Sequence, residues 1–366
     1  MQTGKTILIC PLEWGLGHAG RMVPLASALL SAGNRVIIGS GEEHIRFFMS
    51  ELEGLQYIHF PGFRIRYSKW LPQYLKVILK MPSFIFHTVR EHYQLKRIIK
   101  KHRIDIVISD SRIGLWNKDI KTVLVTHMLR VPYPSSIFTE KTGDRIVRKV
   151  ISKFSFCYVP DLPGEVNLSG KMSHGMAILP NVRFIGLLSR FSSLKPEEHA
   201  LLPNRYDCTV ILSGPEPQRS IMKEKVLAII KVMGISAAIL EGRPSDPGKT
   251  EDTGNIKFIS HLPARDMYML LDQSDLIISR SGYSTIMELA SIGKSAILIP
   301  TSGQPEQEYL AGLMYDRGWF ERILQKDLGR DRFTLGPDFK VPGGMAEMSR
   351  NLLSEALLEL MEEHHN

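Results

Sequence analysis

Residues 276–308, LIISRSGYSTIMELASIGKSAILIPTSGQPEQE, constrain this chain more than any other stretch. Leu276 to Ser279 is an apolar, β-branched run of strand type, and Arg280, Ser281 and Gly282 make a tight turn after it. Ile286, Met287, Leu289, Ala290 and Ile292 recur at helical spacing, and Gly293 ends that helix. Ser295 to Ile299 is a second strand, closed by Pro300. This is one βαβ unit, so its two strands run parallel. Ligands on such units sit at the carboxyl ends of the strands, beside the helix N-terminus. Free N–H groups and a partial positive charge in the first turn suit a phosphate there. Ser281 and Gly282 let a backbone come close, although the same two residues also suit an ordinary turn.

Two carboxylates weigh on that choice. Glu288 lies one to two turns into the helix. It either forms a capping box with Thr285, in the pattern T-x-x-E, or accepts hydrogen bonds from a ribose diol. Glu306 and Gln307 follow the second strand, and read either as a polar loop or as groups facing sugar hydroxyls.

Strands alternate with helices over the rest of the chain. Strands are expected at Thr6 to Cys10, Val36 to Ile38, Tyr57 to Phe60, Asp105 to Ser109, Thr122 to Thr126 and Phe156 to Val159. Helices are expected over 21–32, 72–102 and 137–153. A polar, Pro-containing stretch at 182–205 reads as a linker. A second alternating set then starts at Cys208 to Leu212, with a helix over 219–233 and strands at 236–240 and 256–259. The pattern predicts an α/β protein of two doubly wound, Rossmann-like domains facing across a cleft. The first covers 1–190 and the second 206–345, with a terminal amphipathic helix over 346–366. The 366 residues suffice for two domains, and 43% hydrophobic with 23% charged residues is globular composition. Cys10, Cys157 and Cys208 sit in or beside strand-like runs, which predicts buried thiols in a reducing cytosol. No apolar run reaches membrane-spanning length, and MQTGKTILIC runs straight into a strand rather than forming a signal peptide.

The loop PLEWGLGHAG after the first strand supports two readings. Gly15-Leu16-Gly17-His18-Ala19-Gly20 matches the dinucleotide fingerprint G-x-G-x-x-G, with Glu42 as the ribose acid. Four residues separate its first glycine from the strand, however, where that fingerprint turns at once. The other reading makes the loop a G-x-G-H-x-x-R turn in which His18 faces a cleft. His18 is then a base or, more plainly, an exposed loop histidine; Arg21 is a phosphate contact or a surface residue. Asp110 and His127 end two further strands at the same sheet edge, as functional groups or as turn residues.

The strings R-S-G-x-S-T-x-x-E-L and P-x-x-G-Q-P-E-Q-E resemble the donor-binding half of inverting GT-B glycosyltransferases with a family 28 type C-terminal domain. That resemblance implies a UDP-sugar donor, a hydroxyl acceptor and a cytoplasmic enzyme needing no other cofactor. It places Gly17, Arg21, Ser281, Gly282, Ser284 and Thr285 near the diphosphate, Glu288 on the ribose, and Glu306 and Gln307 on the donor sugar. It puts the Ile259 main chain on the uracil edge. Ser213, Gly214 and Arg219 stand where the family keeps a Gly-rich phosphate turn, but Pro215 and Pro217 depart from that pattern. His18 becomes the general base and Asp110 its orienter, with His127 on the acceptor side as reserve base. No Asp-x-Asp pair offers to hold a metal. A same-fold UDP-sugar hydrolase or epimerase, and a nucleotide-sugar-binding subunit without chemistry, are the alternatives.

The net charge of +8 is uneven: 60–103 carries eleven Lys and Arg against Glu91 alone, a local +10 that leaves the rest near −2. Within 62–90, basic residues interleave with Trp70, Leu71, Tyr74, Ile78, Phe84 and Phe86. Such a segment suits the headgroups of an anionic membrane at the inner face, or else is a core helix with a solvated basic side. Pro72 and Pro82 are expected to limit any helix there to about ten residues. No nucleic-acid recognition motif accompanies the charge.

Overall fold

The computed structural model describes residues 4–362 apart from 64–72, 131–136, 193, 195–204, 215, 245–248, 330–332 and 334–338. The first half runs β1 (Thr6–Cys10), α1 (Leu16–Ser31), β2 (Arg35–Ser40), α2 (Glu42–Glu51), β3 (Gln56–His59), α3 (Gln73–His102), β4 (Ile106–Asp110), β5 (Lys121–Val125), α4 (Ile137–Ile151), β6 (Phe156–Val159) and β7 (Val182–Phe184). The second half runs β8 (Cys208–Ile211), α5 (Gln218–Met233), β9 (Ala237–Leu240), β10 (Thr250–Thr253), β11 (Ile256–Ile259), α6 (Ala264–Asp272), β12 (Leu276–Ser279), α7 (Tyr283–Ser291), β13 (Ile297–Leu298), α8 (Pro305–Asp316), β14 (Glu321–Arg322) and α9 (Met345–Met361).

Two seven-stranded sheets result, ordered β3-β2-β1-β4-β5-β6-β7 and β10-β11-β9-β8-β12-β13-β14. Both reverse strand order beside their first strand, which opens a crevice at the carboxyl edge where ligands bind in doubly wound sheets. Central strands read as continuous apolar runs because helices cover both faces. Ile7, Leu8 and Ile9 are fully buried, as are Val210, Ile278 and Ile297. Among the described residues, the one antiparallel pairing is β10 on β11. The strand Thr250–Thr253, TEDT, is exposed along its length and has no apolar pattern to betray it.

The helix α9 returns to the first sheet. Tyr158 donates its hydroxyl to the Ala356 carbonyl at 2.8 Å, and Arg183 pairs with Glu359 at 2.7 Å. The expectation of a short helix between Pro72 and Pro82 is corrected. The helix α3 runs 30 residues with Pro82 inside it. An interior proline forfeits one hydrogen bond, at about 3 kcal/mol, and that loss did not stop a helix this long. Of the 62–90 segment, 64–72 and the side chains of 73–79 lie outside the described residues.

Candidate active site

Neighbouring strand ends bring His18, Arg21, Asp110 and His127 into one corner. Gly15, at φ 140°, is the N-cap of α1, which begins after a five-residue loop from β1. His18 stands in the first turn of α1, and Asp110 closes β4, which lies beside β1. His18 Nδ1 lies 3.0 Å from Asp110 Oδ2. The Asp110 carboxylate is fully buried. It also accepts from Arg21 Nε at 3.0 Å, from Arg21 Nη2, and from Ser111 Oγ at 3.2 Å. Burial alone would raise its pKa, but the Arg21 and His18 charges and hydrogen bonds hold it well below the carboxylate range. His18 Nδ1 lies between this acceptor and a donor, Arg21 Nη2 at 2.9 Å, which already donates to Asp110 Oδ1; with the ionised carboxylate taking the Nδ1 hydrogen, we assign the His18 lone pair to Nε2. Among the described residues, no protein group bonds that Nε2.

Arg21 is a correction. It was expected near the donor diphosphate, yet its side chain is 1% exposed and underlies His18. Its three nitrogens serve Asp110, Ser111 and, at 3.2 Å, His127 Nδ1. It is the counter-ion that keeps Asp110 ionised.

His127 follows β5 and is gripped by the second domain. Its Nε2 lies 3.0 Å from Glu306 Oε1, and its ring stacks on Tyr283 with centroids 4.0 Å and planes 6° apart. Burial pushes the His127 pKa down, only partly offset by Glu306. Burial would raise the Glu306 carboxyl, but the hydrogen bond and charge of His127 outweigh it and hold it low. The geometry and the lowered His127 pKa fit a neutral imidazole that accepts from Arg21 at Nδ1 and donates from Nε2 to Glu306. Neither ring nitrogen keeps a free lone pair, so the reserve-base role is withdrawn.

The second domain meets the first at α7. Ser284 Oγ donates to the Gly17 carbonyl at 3.0 Å. A Cβ on Gly17 would lie 2.9 Å from Ser284 Oγ, so a larger residue there would have to displace the Ser284 side chain. This removes the dinucleotide reading: α1 has begun at Leu16, Gly17 and Gly20 lie inside it, and Glu42 is 77% exposed to solvent. Ser281 Oγ donates to the Gln307 carbonyl at 2.8 Å, and Gly282 is the N-cap of α7. Thr285 is therefore three residues past the cap, which dismisses the capping box with Glu288. Glu288 is 8% exposed and bonded by Arg190, from Nε at 2.6 Å and Nη2 at 3.2 Å.

Three expected donor residues are occupied otherwise. Gln307 turns inward, and its side-chain oxygen accepts from Thr301 N at 2.9 Å, anchoring the β13–α8 turn. The Ile259 carbonyl accepts from Glu241 N at 2.9 Å, within a strand flanked by β9 and by the unforeseen β10. Arg219 pairs with Glu216 at 3.0 Å. Ser213 and Gly214 do follow β8, two and three residues past its end, Gly214 at φ 90°.

Sequence reasoning passed over Arg280. It is fully buried and donates to the carbonyls of Gln218, Ile299 and Pro300 at 2.8, 3.2 and 3.3 Å. Burial pushes its pKa down to about 10. Among the described residues no carboxylate pairs with it, so its charge bears on the edge where β12, β13 and α5 meet. Its signal was its place at the head of the R-S-G turn. Beyond Glu306, a recess of about 800 Å³ opens between the 164–175 loop and the outer face of α8, lined by Asn167, Lys171, Tyr309 and Arg317.

Two doubly wound sheets of this order have the GT-B fold of glycosyltransferases. Residues 222–332, in the second domain, match the glycosyltransferase family 28 C-terminal domain. An uncharacterized glycosyltransferase of Methanosarcina mazei is 24% identical over 328 residues, 83% of this chain and 82% of that one. The UDP-N-acetylglucosamine–N-acetylmuramyl-(pentapeptide) pyrophosphoryl-undecaprenol N-acetylglucosamine transferase of Rhodopseudomonas palustris is 42% identical over 77 residues, 20% of each chain. The solved spinosyn rhamnosyltransferase SpnG, complexed with thymidine diphosphate, aligns with a TM-score of 0.59 and 15% identity over 98% of this chain and 100% of its own. That likeness is one of fold.

Proposed function

We propose that this protein transfers a sugar, with inversion, from a UDP-sugar to a hydroxyl acceptor carried on a lipid. One observation carries the reading: His18, held at Nδ1 by a buried ionised carboxylate, sits next to the Gly17–Ser284 contact at the N-terminus of α7. In the reaction Nε2 takes the acceptor hydroxyl proton. The acceptor oxygen bonds to the anomeric carbon from the face opposite the nucleotide. The anomeric C–O bond breaks, and UDP leaves with its electron pair. The helix N-terminus and the buried Arg280 cation stabilise that leaving charge, so the scheme calls for no metal. Ser281, Gly282, Ser284 and Thr285 lie by the diphosphate, Glu288 takes the ribose and Glu306 faces the sugar.

The uridine assignment is supported by the short, 42% identical match to a transferase named for UDP-N-acetylglucosamine. The lipid-linked acceptor is supported by the undecaprenol in that same name. It is supported also by α3, whose Met81, Ile85, Phe86, Val89 and Tyr93 are exposed among Lys80, Arg90, Lys96 and Arg97. Among the described residues no helix is long and apolar enough to cross a membrane, so the proposed contact is peripheral, at the cytoplasmic face. The test incubates the protein with radiolabelled UDP- and dTDP-sugars, with and without polyprenyl-linked acceptors, with and without EDTA. Acceptor-dependent transfer from a UDP-sugar, unaffected by EDTA, is expected. UDP release that ignores every acceptor would make the protein a hydrolase, and exclusive use of dTDP-sugars would overturn the uridine assignment.

A further inference from the structure

A buried guanidinium joins the two domains behind the nucleoside side of the site. Arg190 follows β7, between the two sheets, and its side chain is 7% exposed. One face of it holds Glu288 on α7, in the second domain. The other holds Glu51 at the end of α2, in the first, through Nη1 at 2.8 Å. Phe47 and Phe191 flank its carbon at 5.4 and 5.7 Å. Glu51 is 2% exposed, and its second oxygen accepts from Ala264 N, the first residue of α6, at 3.2 Å. His261 completes the cluster, its Nε2 lying 3.9 Å from Glu51 and without a hydrogen-bond partner although buried.

These residues tie the first domain to two elements of the second: α7 through Glu288, the ribose carboxylate of the proposed reading, and α6 through Ala264. A carboxylate has about four acceptor sites. Arg190 fills one on each Glu288 oxygen, which fixes the plane of the group and leaves each oxygen a lone pair for a hydroxyl. Glu51 in turn fixes Arg190, because a bidentate guanidinium held from both sides cannot rotate. Two carboxylates against one cation leave a net negative charge, and the donor hydroxyls of a ribose diol are what that charge attracts.

We infer that the nucleoside half of the donor site is composite: Arg190, clamped by Glu51 of the first domain, is a positioning residue that aims Glu288 at the ribose diol. Glu51 then governs donor affinity without touching the donor, and recognition is complete only when the domains are together. The inference rests on the ribose role of Glu288.

The test compares UDP with 2′-deoxy-UDP by titration calorimetry on the whole chain. Wild type should prefer UDP. Glu51→Gln keeps the shape of the side chain and removes its charge. It should weaken UDP roughly tenfold, the range of residues that act on a ligand through others. It should weaken 2′-deoxy-UDP far less, so that the preference shrinks. Donor KM should rise with it, while acceptor KM stays within about twofold, as expected when ground-state donor binding is lost. Arg190→Lys should do the same more strongly, and Glu51→Gln stands in if that variant fails to fold. A Glu51→Gln protein that melts earlier but keeps the full preference would make the cluster a structural clamp and overturn the inference. Wild type that binds both ligands equally would sink the ribose role of Glu288, and this inference with it.

Discussion

His18 has one nitrogen committed and one at liberty, and that asymmetry sets its consequences. His18→Ala should cut transfer about 10²- to 10⁴-fold, the worth of a positioned base, while UDP affinity stays within a few-fold. Activity above about a tenth of wild type would remove the base assignment. Asp110→Asn should cost less activity, yet it strips Arg21 of its counter-ion, and an uncompensated buried charge costs about 3–5 kcal/mol. Sign follows from direction here. The folded Asp110 pKa is depressed, so its stabilisation is complete above the usual value near 4 and fades as pH falls toward the lower folded value. His261 acts in a different window. Burial, then the Arg190 charge, lowers its pKa from 6.5 to about 4. The unfolded chain therefore binds more protons between those values, and stability is lost as pH falls from 6.5 to 4. Urea melts across that range should show a slope that His261→Gln flattens; an unchanged slope would assign it elsewhere.

At the scale of elements, the contact of α1 with α7 invites a direct trial. Gly17 lies in a helix, where alanine is ordinarily favoured by about 1 kcal/mol. A methyl there would nonetheless press Ser284 Oγ and Cβ, at 2.9 and 3.0 Å. Gly17→Ala should therefore leave the melting temperature near wild type while raising donor KM, because the displaced Ser284 lies by the proposed diphosphate position. A donor KM unchanged in Gly17→Ala would show that the Ser284 side chain moves aside without disturbing the site. The elements themselves were largely legible. Phe156–Val159 and Ile256–Ile259 stand where their apolar runs put them, and α7 follows its R-S-G turn. The exposed TEDT strand and the two-residue β14 carry no periodic signal, and Pro82 misled because one missing hydrogen bond is a weak veto on a long helix. The His18–Asp110 pair was legible because the loop and helix after β1 and the end of the neighbouring parallel strand β4 share one sheet edge. Arg190 with Glu51 and Glu288 was not, since its partners lie 139 and 98 residues away in the chain and no local pattern encodes a contact between domains.

Across the whole molecule, charge and apolar exposure coincide on one side of the first domain. Met81, Ile85, Val89 and Tyr93 recur every four residues on α3, so they form a single stripe, and Phe86 beside them is 71% exposed. Lys80, Arg90, Lys96, Arg97, Lys100 and Lys101 are exposed on the same helix. Each cation near an anionic bilayer contributes on the order of 1 kcal/mol, and the buried stripe adds roughly 25 cal/mol per Å² of apolar area. Neither source alone holds a protein on a membrane for long; together they suffice at low salt and weaken as salt screens the first. Flotation with vesicles containing phosphatidylglycerol should recover the protein, and neutral vesicles should recover far less. Raising salt should lower recovery without abolishing it. Phe86→Glu should lower recovery at every salt concentration while leaving transfer to a water-soluble, short-chain acceptor unchanged, because Phe86 is 71% exposed and it is Glu91, paired with Arg112 at 2.8 Å, that ties the helix inward. Equal recovery on neutral and anionic vesicles, or none on either, would leave the stripe without its proposed partner.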